Sequence, residues 1–327
     1  MAEHYLAATP STIRWGVFDA AIPPVLTIAS GDSVVIETVS GKAADLPAPG
    51  GGMHVPPALH AIHAANPPKL GPHILTGPVA IAGAAPGDML EIRIDAIDLG
   101  ADWGYCAIRP LSGTLPDDFP IDHVDLVPID RQARRARLPW GLELPLKPFF
   151  GVMGVAPPPW QGAISTVQPR LHGGNLDNKE LVAGSTLYLP VWADGAQFSC
   201  GDGHGCQGDG EVCVNALETC LTGRFTFILH RSFGTPRLTA PRAETPTHWI
   251  SMGTDADLDE ALRKALREMI GFICARSNLS REQAYKLCSL AVDFRITQSV
   301  NGEKGVHGML AKELLAGSVQ ASSMQAG

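Results

Sequence analysis

Apolar and polar residues alternate along two stretches in the first hundred positions. Ser33 to Val39 is a β-branched run, and Met89 to Ile97 sets Leu90, Ile92, Ile94 and Ala96 on one side against Glu91, Arg93 and Asp95 on the other. A period of two is the mark of a half-buried strand. The approaches to the two stretches are alike: Ser30-Gly31-Asp32-x-Val34-x-Ile36 resembles Pro86-Gly87-Asp88-x-Leu90-x-Ile92, two similar turn-plus-strand units. Shorter strands are expected within Trp15 to Ala29 and at Thr76 to Ile81, Leu187 to Val191, Gln197 to Ser199, Arg224 to His230, Thr247 to Met252 and Phe294 to Thr297. Lys42 to Pro72 is rich in Pro, Gly and Ala and reads as a long loop with a short helix near Leu59; loops of that length in a compact fold usually carry function.

The period changes after residue 256. Leu258, Ala261, Leu262, Ala265, Leu266, Met269, Ile270 and Ile273 recur at helical spacing, which predicts a helix over 257–275. Ser280 with Gln283 three positions on forms a capping box and opens a second helix to about Ala291. The expected fold class is a β-rich α+β protein. A large sandwich-like or barrel-like β part over 1–220 carries the chemistry, a smaller α+β unit over 221–311 completes the fold, and a polar tail covers 312–327.

Composition narrows the function classes. A hydrophobic fraction of 45% with 18% charged residues belongs to a folded chain, and 35 Gly with 27 Pro favours many strands and tight turns. The net charge is -8, and the basic run RQARRAR at 131–137 has no interleaved aromatics, so no nucleic-acid partner is expected. No apolar run reaches the length needed to cross a bilayer, and the first ten residues do not read as a leader, so no membrane partner is expected and the cytoplasm is the expected compartment. The seven cysteines are odd in number and include no CxxC pair, which argues against a disulfide scaffold or a thiolate zinc site.

The chemistry-bearing residues concentrate in two glycine-rich segments. His172-Gly173-Gly174-Asn175-Leu176-Asp177-Asn178 lies upstream, and Cys200-Gly201-Asp202-Gly203-His204-Gly205-Cys206-Gln207-Gly208-Asp209-Gly210-Glu211 follows as an expected loop between strands. Hard oxygen donors with imidazole suit a divalent ion. Asp202 and His204 form a compact pair if the turn wraps back, Asp177 is a natural further ligand, and His73 can add a second imidazole. Glu211, which opens an apolar segment, is the candidate general base. Asn175 and Gln207 can bind a small polar substrate, with His172 and His54 in reserve. The bland alternative is that these Asp and Gly residues only build turns, which explains His204 least well.

Taken in order, these blocks resemble the acetamidase/formamidase family. The resemblance runs through His73-Ile74-Leu75-Thr76-Gly77-Pro78-Val79, Ala85-Pro86-Gly87-Asp88, Ala101-Asp102-Trp103-Gly104, Phe150-Gly151-Val152-Met153-Gly154-Val155-Ala156-Pro157, the 172–178 segment and Ala183-Gly184-Ser185-Thr186-Leu187-Tyr188-Leu189-Pro190-Val191, with Gly201 to Glu211 its most specific part. It implies hydrolysis of the carbon–nitrogen bond of short amides, a β-rich fold with a smaller α+β part, assembly into a homo-oligomer, and a bound divalent ion, zinc or calcium. One departure stands out. Gly50-Gly51-Gly52-Met53-His54-Val55-Pro56 occupies the region where the family has a Gly-Gly-Gln-type segment, so a larger amide, a cyclic imide or a urea-like substrate stays open.

The expected mechanism has an ion held by Asp202, His204, Asp177 and His73 activating a water, with Glu211 taking the proton. The rival enzyme reading uses Cys200 or Cys206 as a covalent nucleophile. A rival from another class is a metal-dependent small-molecule binding module.

Overall fold

The computed structural model describes residues 1–232 and 238–316. Most strands join two large sheets. The nine-stranded sheet runs in the order Glu3–Leu6, Ser33–Thr38, Leu221–His230, Met89–Leu99, Thr186–Pro190, Arg242–Glu244, His248–Asp255, Lys304–Ala311, Val292–Gln298. The six-stranded sheet runs Gly173–Asn175, Phe149–Gly154, Phe198–His204, Ile74–Ile81, Ile13–Trp15, with Leu26–Ile28 also paired to Ile74–Ile81. A four-stranded sheet holds Trp103–Ile108 at one edge. The β-rich α+β class expected from the pattern is the class observed, and the nine-stranded sheet draws strands from both sides of position 220.

The two large sheets meet through aromatic side chains. Phe150 and Phe198 of one sheet meet Phe225 and Phe227 of the other at ring-centroid separations of 5.2 to 5.8 Å, and all four are fully buried. Burial of each such side chain is worth about 1.5–3 kcal/mol, so this cluster fixes how the sheets register.

The matched turn-plus-strand units adopt the same geometry. Ala29 N donates to Asp32 Oδ2 and Ala85 N to Asp88 Oδ2, each at 3.1 Å, with Gly31 and Gly87 at φ +96 and +99. Their strands flank Leu221–His230 on its two sides. The alternation expected for Met89 to Ile97 holds only to Ile94. A register shift opposite Arg224 and Phe225 leaves Asp95 without a directly opposed residue, and the buried set moves from Leu90, Ile92 and Ile94 to Ile97 and Leu99. Ala96 is therefore off the expected face, as a bulge requires.

The helical readings match closely. Leu258–Arg276 starts at Asp257, whose side chain accepts the Glu260 N–H, and Arg281–Ala291 starts on the Ser280–Gln283 capping box. A short helix, Pro57–Ala65, sits in the 42–72 segment and buries Leu59 and Ile62. The expected tail begins with a 3-10 turn at Lys312–Leu315, and its residues 317–327 lie outside the described residues. Among the described residues, no helix is long and apolar enough to cross a membrane.

Candidate active site

The expected Gly-rich loop over 200–211 is half strand. Phe198–His204 is a central strand of the six-stranded sheet, and only the residues after it turn. Asp202 and His204 thus meet because they are two apart on one strand, not because a loop wraps back. The intervening glycines serve the opposite need. A Cβ on Gly201 would lie 2.2 Å from the Ile74 carbonyl oxygen, and one on Gly203 2.5 Å from that of Thr219. Neighbouring backbone fills the space where alternate side chains would stand.

The adjacent strand supplies the floor. A Cβ on Gly151 would fall 2.5 Å from Asp202 Oδ2, 2.6 Å from Asp177 Oδ1 and 2.7 Å from His204 Cε1. Glycine is required there by space alone, because only a missing side chain leaves room for these three groups to converge.

Around that floor, His204 Nε2 lies 3.3 Å from Asp202 Oδ2, 3.4 Å from Glu218 Oε1 and 4.0 Å from Asp177 Oδ1. His73 Nε2 lies 3.8 Å from Asp202 Oδ2, and His73 Nδ1 is 3.0 Å from the Thr166 hydroxyl. Glu211 stands with Asp177 and His204 in one close group of donors, and Asp202 with His204 and Glu218 in a second. The structure therefore brings together Asp177, Asp202, His204, Glu211 and His73, and adds Glu218. These line one wall of a cavity of about 330 Å³ with Asn175, Tyr105, Val214 and Asn301, although Asp177 and His204 lie just behind its surface.

Several neighbours fix this geometry. Gln207 Nε2 donates to the Asp177 carbonyl at 2.8 Å, so its Oε1 faces His204 Nδ1 at 2.9 Å. That orientation lets His204 Nδ1–H donate to Gln207 Oε1 and directs Nε2 toward the carboxylates. Asn301 Nδ2 donates to Asp177 Oδ2 at 2.6 Å. The backbone is also held in an unusual state: Asp177, Asp202 and Glu211 have φ of +48, +58 and +43, a region costly for residues other than glycine.

Burial without compensation marks the electrostatics. Asp177, Asp202, Glu211 and Glu218 are all nearly inaccessible, with His204 within 4.0 Å of Asp177, Asp202 and Glu218 and His73 3.8 Å from Asp202. Burial pushes the Asp177 carboxyl up to about 6 against the pull of His204, and pushes Glu218 up to about 8. Burial and then Asp177 hold Glu211 well above the carboxylate range. Burial raises Asp202 too, yet His73 and His204 outweigh it and draw this carboxyl down. His204 goes up despite burial because Glu218 and Asp202 face it. Asp177 Oδ1, Glu211 Oε2 and His204 Nε2 are buried with no hydrogen-bond partner. Unpaired buried oxygens and an imidazole nitrogen that converge form a donor set that fits a divalent cation. These groups could hold such an ion.

The remaining expected residues fall in different places. Asn175 borders the cavity, donates Nδ2 to the Val167 carbonyl at 3.1 Å and keeps Oδ1 free. Gln207 is spent on orienting His204. His172 is buried against Phe18, its pKa lowered to about 3 by burial, and borders a separate cavity. His54 is exposed, and its backbone bonds Asp102 and Trp103 at 2.9 and 3.0 Å. The departing 50–56 segment therefore stands off the cavity wall. Cys200 lies in the hydrophobic core, and Cys206 borders a second cavity that Glu211 also lines; burial raises the pKa of both thiols, which disfavours the thiolate a nucleophile needs.

Glu218 and Asn301 were not among the expected residues. Glu218 sits in the apolar run Ala216-Leu217-Glu218-Thr219-Cys220-Leu221, and a lone carboxylate there is the signal that could have exposed it. Asn301 arrives from the turn between Val292–Gln298 and Lys304–Ala311, and nothing local in sequence points to the site.

A β-rich fold of two packed sheets with a buried acid–imidazole centre at a glycine floor is the class that these features define. The chain belongs to the Acetamidase/Formamidase family, whose family model matches residues 9–159 and 160–307. It is 28% identical over 198 residues to an acetamidase of Mycolicibacterium smegmatis, covering 43% of this chain and 49% of that protein. It is 28% identical over 193 residues to a formamidase of Methylophilus methylotrophus, covering 43% and 47%. The chain thus spans about half the length of the curated relatives it matches. A crystal structure of an acetamidase from Bacillus halodurans superimposes with a TM-score of 0.82 at 30% identity, covering 96% of this chain and 99% of that one.

Proposed function

We propose that the protein is a metal-dependent amidohydrolase that cleaves the carbon–nitrogen bond of short amides of the formamide and acetamide kind to a carboxylate and ammonia. The family and its acetamidase and formamidase members support the reaction class. The observation that carries the metal dependence is the convergence of Asp177, Asp202 and His204 over Gly151, with the buried Asp177 Oδ1 and His204 Nε2 left without hydrogen-bond partners.

Asp177, Asp202, His204 and Glu218 would hold the cation, zinc or calcium, with His73 beside Asp202. When bound, it would supply Lewis-acid polarisation of the amide carbonyl and acidify a water. The chain's own groups do the rest. Asn175 Oδ1 accepts a hydrogen bond from the substrate amide N–H and orients it. Glu211 takes a proton from the attacking water at Oε2 and returns it to the departing nitrogen. Burial and Asp177 favour the protonated form of Glu211, and a cation nearby would favour the carboxylate that a base needs. Gln207 keeps His204 in one tautomer, and Asn301 keeps Asp177 in place.

The cavity size favours a second reading. About 330 Å³ is room for roughly ten waters at about 30 Å³ each, far more than formamide needs. An amide with an acyl group larger than acetyl fits the same wall. The seven free cysteines suit a reducing compartment such as the cytoplasm, and the exposed Trp140, Leu142 and Val212 suit assembly with further copies.

The test is ammonia release from a panel of amides of increasing acyl length, by the wild type and by Glu211→Gln. Turnover on at least one amide, lowered by about 10²–10⁴-fold in the variant with metal content unchanged, is expected. Wild-type turnover by Glu211→Gln removes the base assignment, and a panel with no ammonia release favours the binding-module reading.

A further inference from the structure

Behind the Glu211 turn lies a second chemistry. Cys106 Sγ and Cys213 Sγ are 3.7 Å apart, each partly accessible, and both border a cavity of about 460 Å³ on the far side of Glu211 from the substrate cavity. The two cysteines are 107 positions apart in sequence, so only the fold brings them together. Cys106 is fixed within the Trp103–Ile108 strand, which pairs along its length with His123–Asp130. Cys213 stands in the turn 211–215. Val214 in that turn has φ +71, unfavourable for a β-branched residue, and Glu211 has φ +43. Glu211, Val214 and Asn215 border the substrate cavity.

We propose that Cys106 and Cys213 are a modification site: hydrogen peroxide converts them to an intramolecular disulfide that displaces the Glu211 turn and lowers turnover. One thiol sulfur attacks a peroxide oxygen, the O–O bond breaks, and a sulfenic acid and one water result. The second sulfur attacks the sulfenic sulfur, the S–O bond breaks, and the hydroxide leaves as water with the thiol proton. Two thiols and one peroxide give one disulfide and two waters, with sulfur oxidised and peroxide oxygen reduced. The sulfurs must close from 3.7 Å to about 2 Å. The paired strand holds Cys106 still, so the movement falls on Cys213 and reaches Glu211 two residues away.

The effect on turnover rests on the role of Glu211 proposed above; the disulfide itself does not. Purified full-length protein is treated with graded hydrogen peroxide, then digested without reduction and mapped by mass spectrometry, with ammonia release measured in parallel before and after dithiothreitol. A Cys106–Cys213 linked peptide is expected, with kcat lower by about 10²-fold, the scale of effect a misplacement of about 1 Å produces, and full recovery on reduction. Cys106→Ser and Cys213→Ser are expected to keep basal turnover and lose its peroxide sensitivity. Absence of the linked peptide, or a Cys206–Cys213 link in its place, overturns the site. A linked peptide with unchanged turnover, or equal inactivation of both serine variants, overturns its link to Glu211.

Discussion

The Leu258–Arg276 helix buries Ala261, Ala265, Met269, Ile270, Phe272 and Ile273, whereas the Phe198–His204 strand buries Asp202 and His204. In the helix most local preferences agree with the fold: apart from the exposed Leu262 and the interior Gly271 the apolar face is buried, Asp257 caps the first turn, and Gly253 of the preceding strand lets the helix approach so closely that a Cβ there would lie 2.2 Å from the Ala261 carbonyl oxygen. In the strand the preferences conflict. Asp202 is taken out of water with its backbone at φ +58, and His204 Nε2 is left without a hydrogen-bond partner. Agreement of that kind yields stability; conflict of that kind persists where a bound species resolves it.

Gly151→Ala should break the comparison most sharply. The added methyl occupies the point where Asp177, Asp202 and His204 converge, so cation content and amide turnover should both fall below detection while far-UV circular dichroism stays native. Retention of a bound ion in this variant would place the cation elsewhere.

The next largest effect is on stability against pH. In chelated protein, Glu218 has a folded pKa raised from 4.5 to about 8, and Asp177 one raised from 3.8 to about 6. A carboxyl whose folded pKa exceeds its unfolded value keeps the protein stable below the unfolded value and loses that contribution as pH rises through the folded one. His172, lowered from 6.5 to about 3, and His307, lowered to about 4, contribute stability that grows as pH rises to 6.5 and offsets this loss. The melting temperature of the chelated protein should therefore fall between about pH 6.5 and 8, where Glu218 acts alone among them, and added divalent ion should restore it at the alkaline end. A chelated protein whose melting temperature rises over that window would contradict the burial assigned to Glu218.

The smallest effect belongs to the helix. Asp257→Ala removes the cap on Glu260 N and should cost about 1 kcal/mol, a fall of about 1–2 °C in melting temperature, with turnover unchanged. A loss of turnover at equal folded fraction would show that the helix communicates with the site.

The same contrast explains what could be read from the chain. The helix, its cap and the Ser280–Gln283 box depend on residues three or four apart, so their pattern is complete in the sequence. The inventory Asp177, Asp202, His204 and Glu211 was legible because glycine-rich segments rarely carry imidazole. The geometry was not: glycines that read as loop flexibility at Gly201 and Gly203 are the consequence of backbone packed against Ile74 and Thr219. Glu218 and Asn301 reach the site from strand and turn positions set by long-range pairing, Asn301 from 124 residues beyond Asp177. The Asp95 bulge, which reverses the face of the strand after Ile94, likewise depends on a partner strand remote in sequence.

Ammonia release from the best amide of the panel, measured on chelator-treated protein before and after stoichiometric return of a divalent ion, is the most direct test of a cation at the buried carboxylate–imidazole centre. Turnover should vanish on chelation and return with about one ion per chain. Full turnover in protein shown by elemental analysis to be free of metal would contradict it.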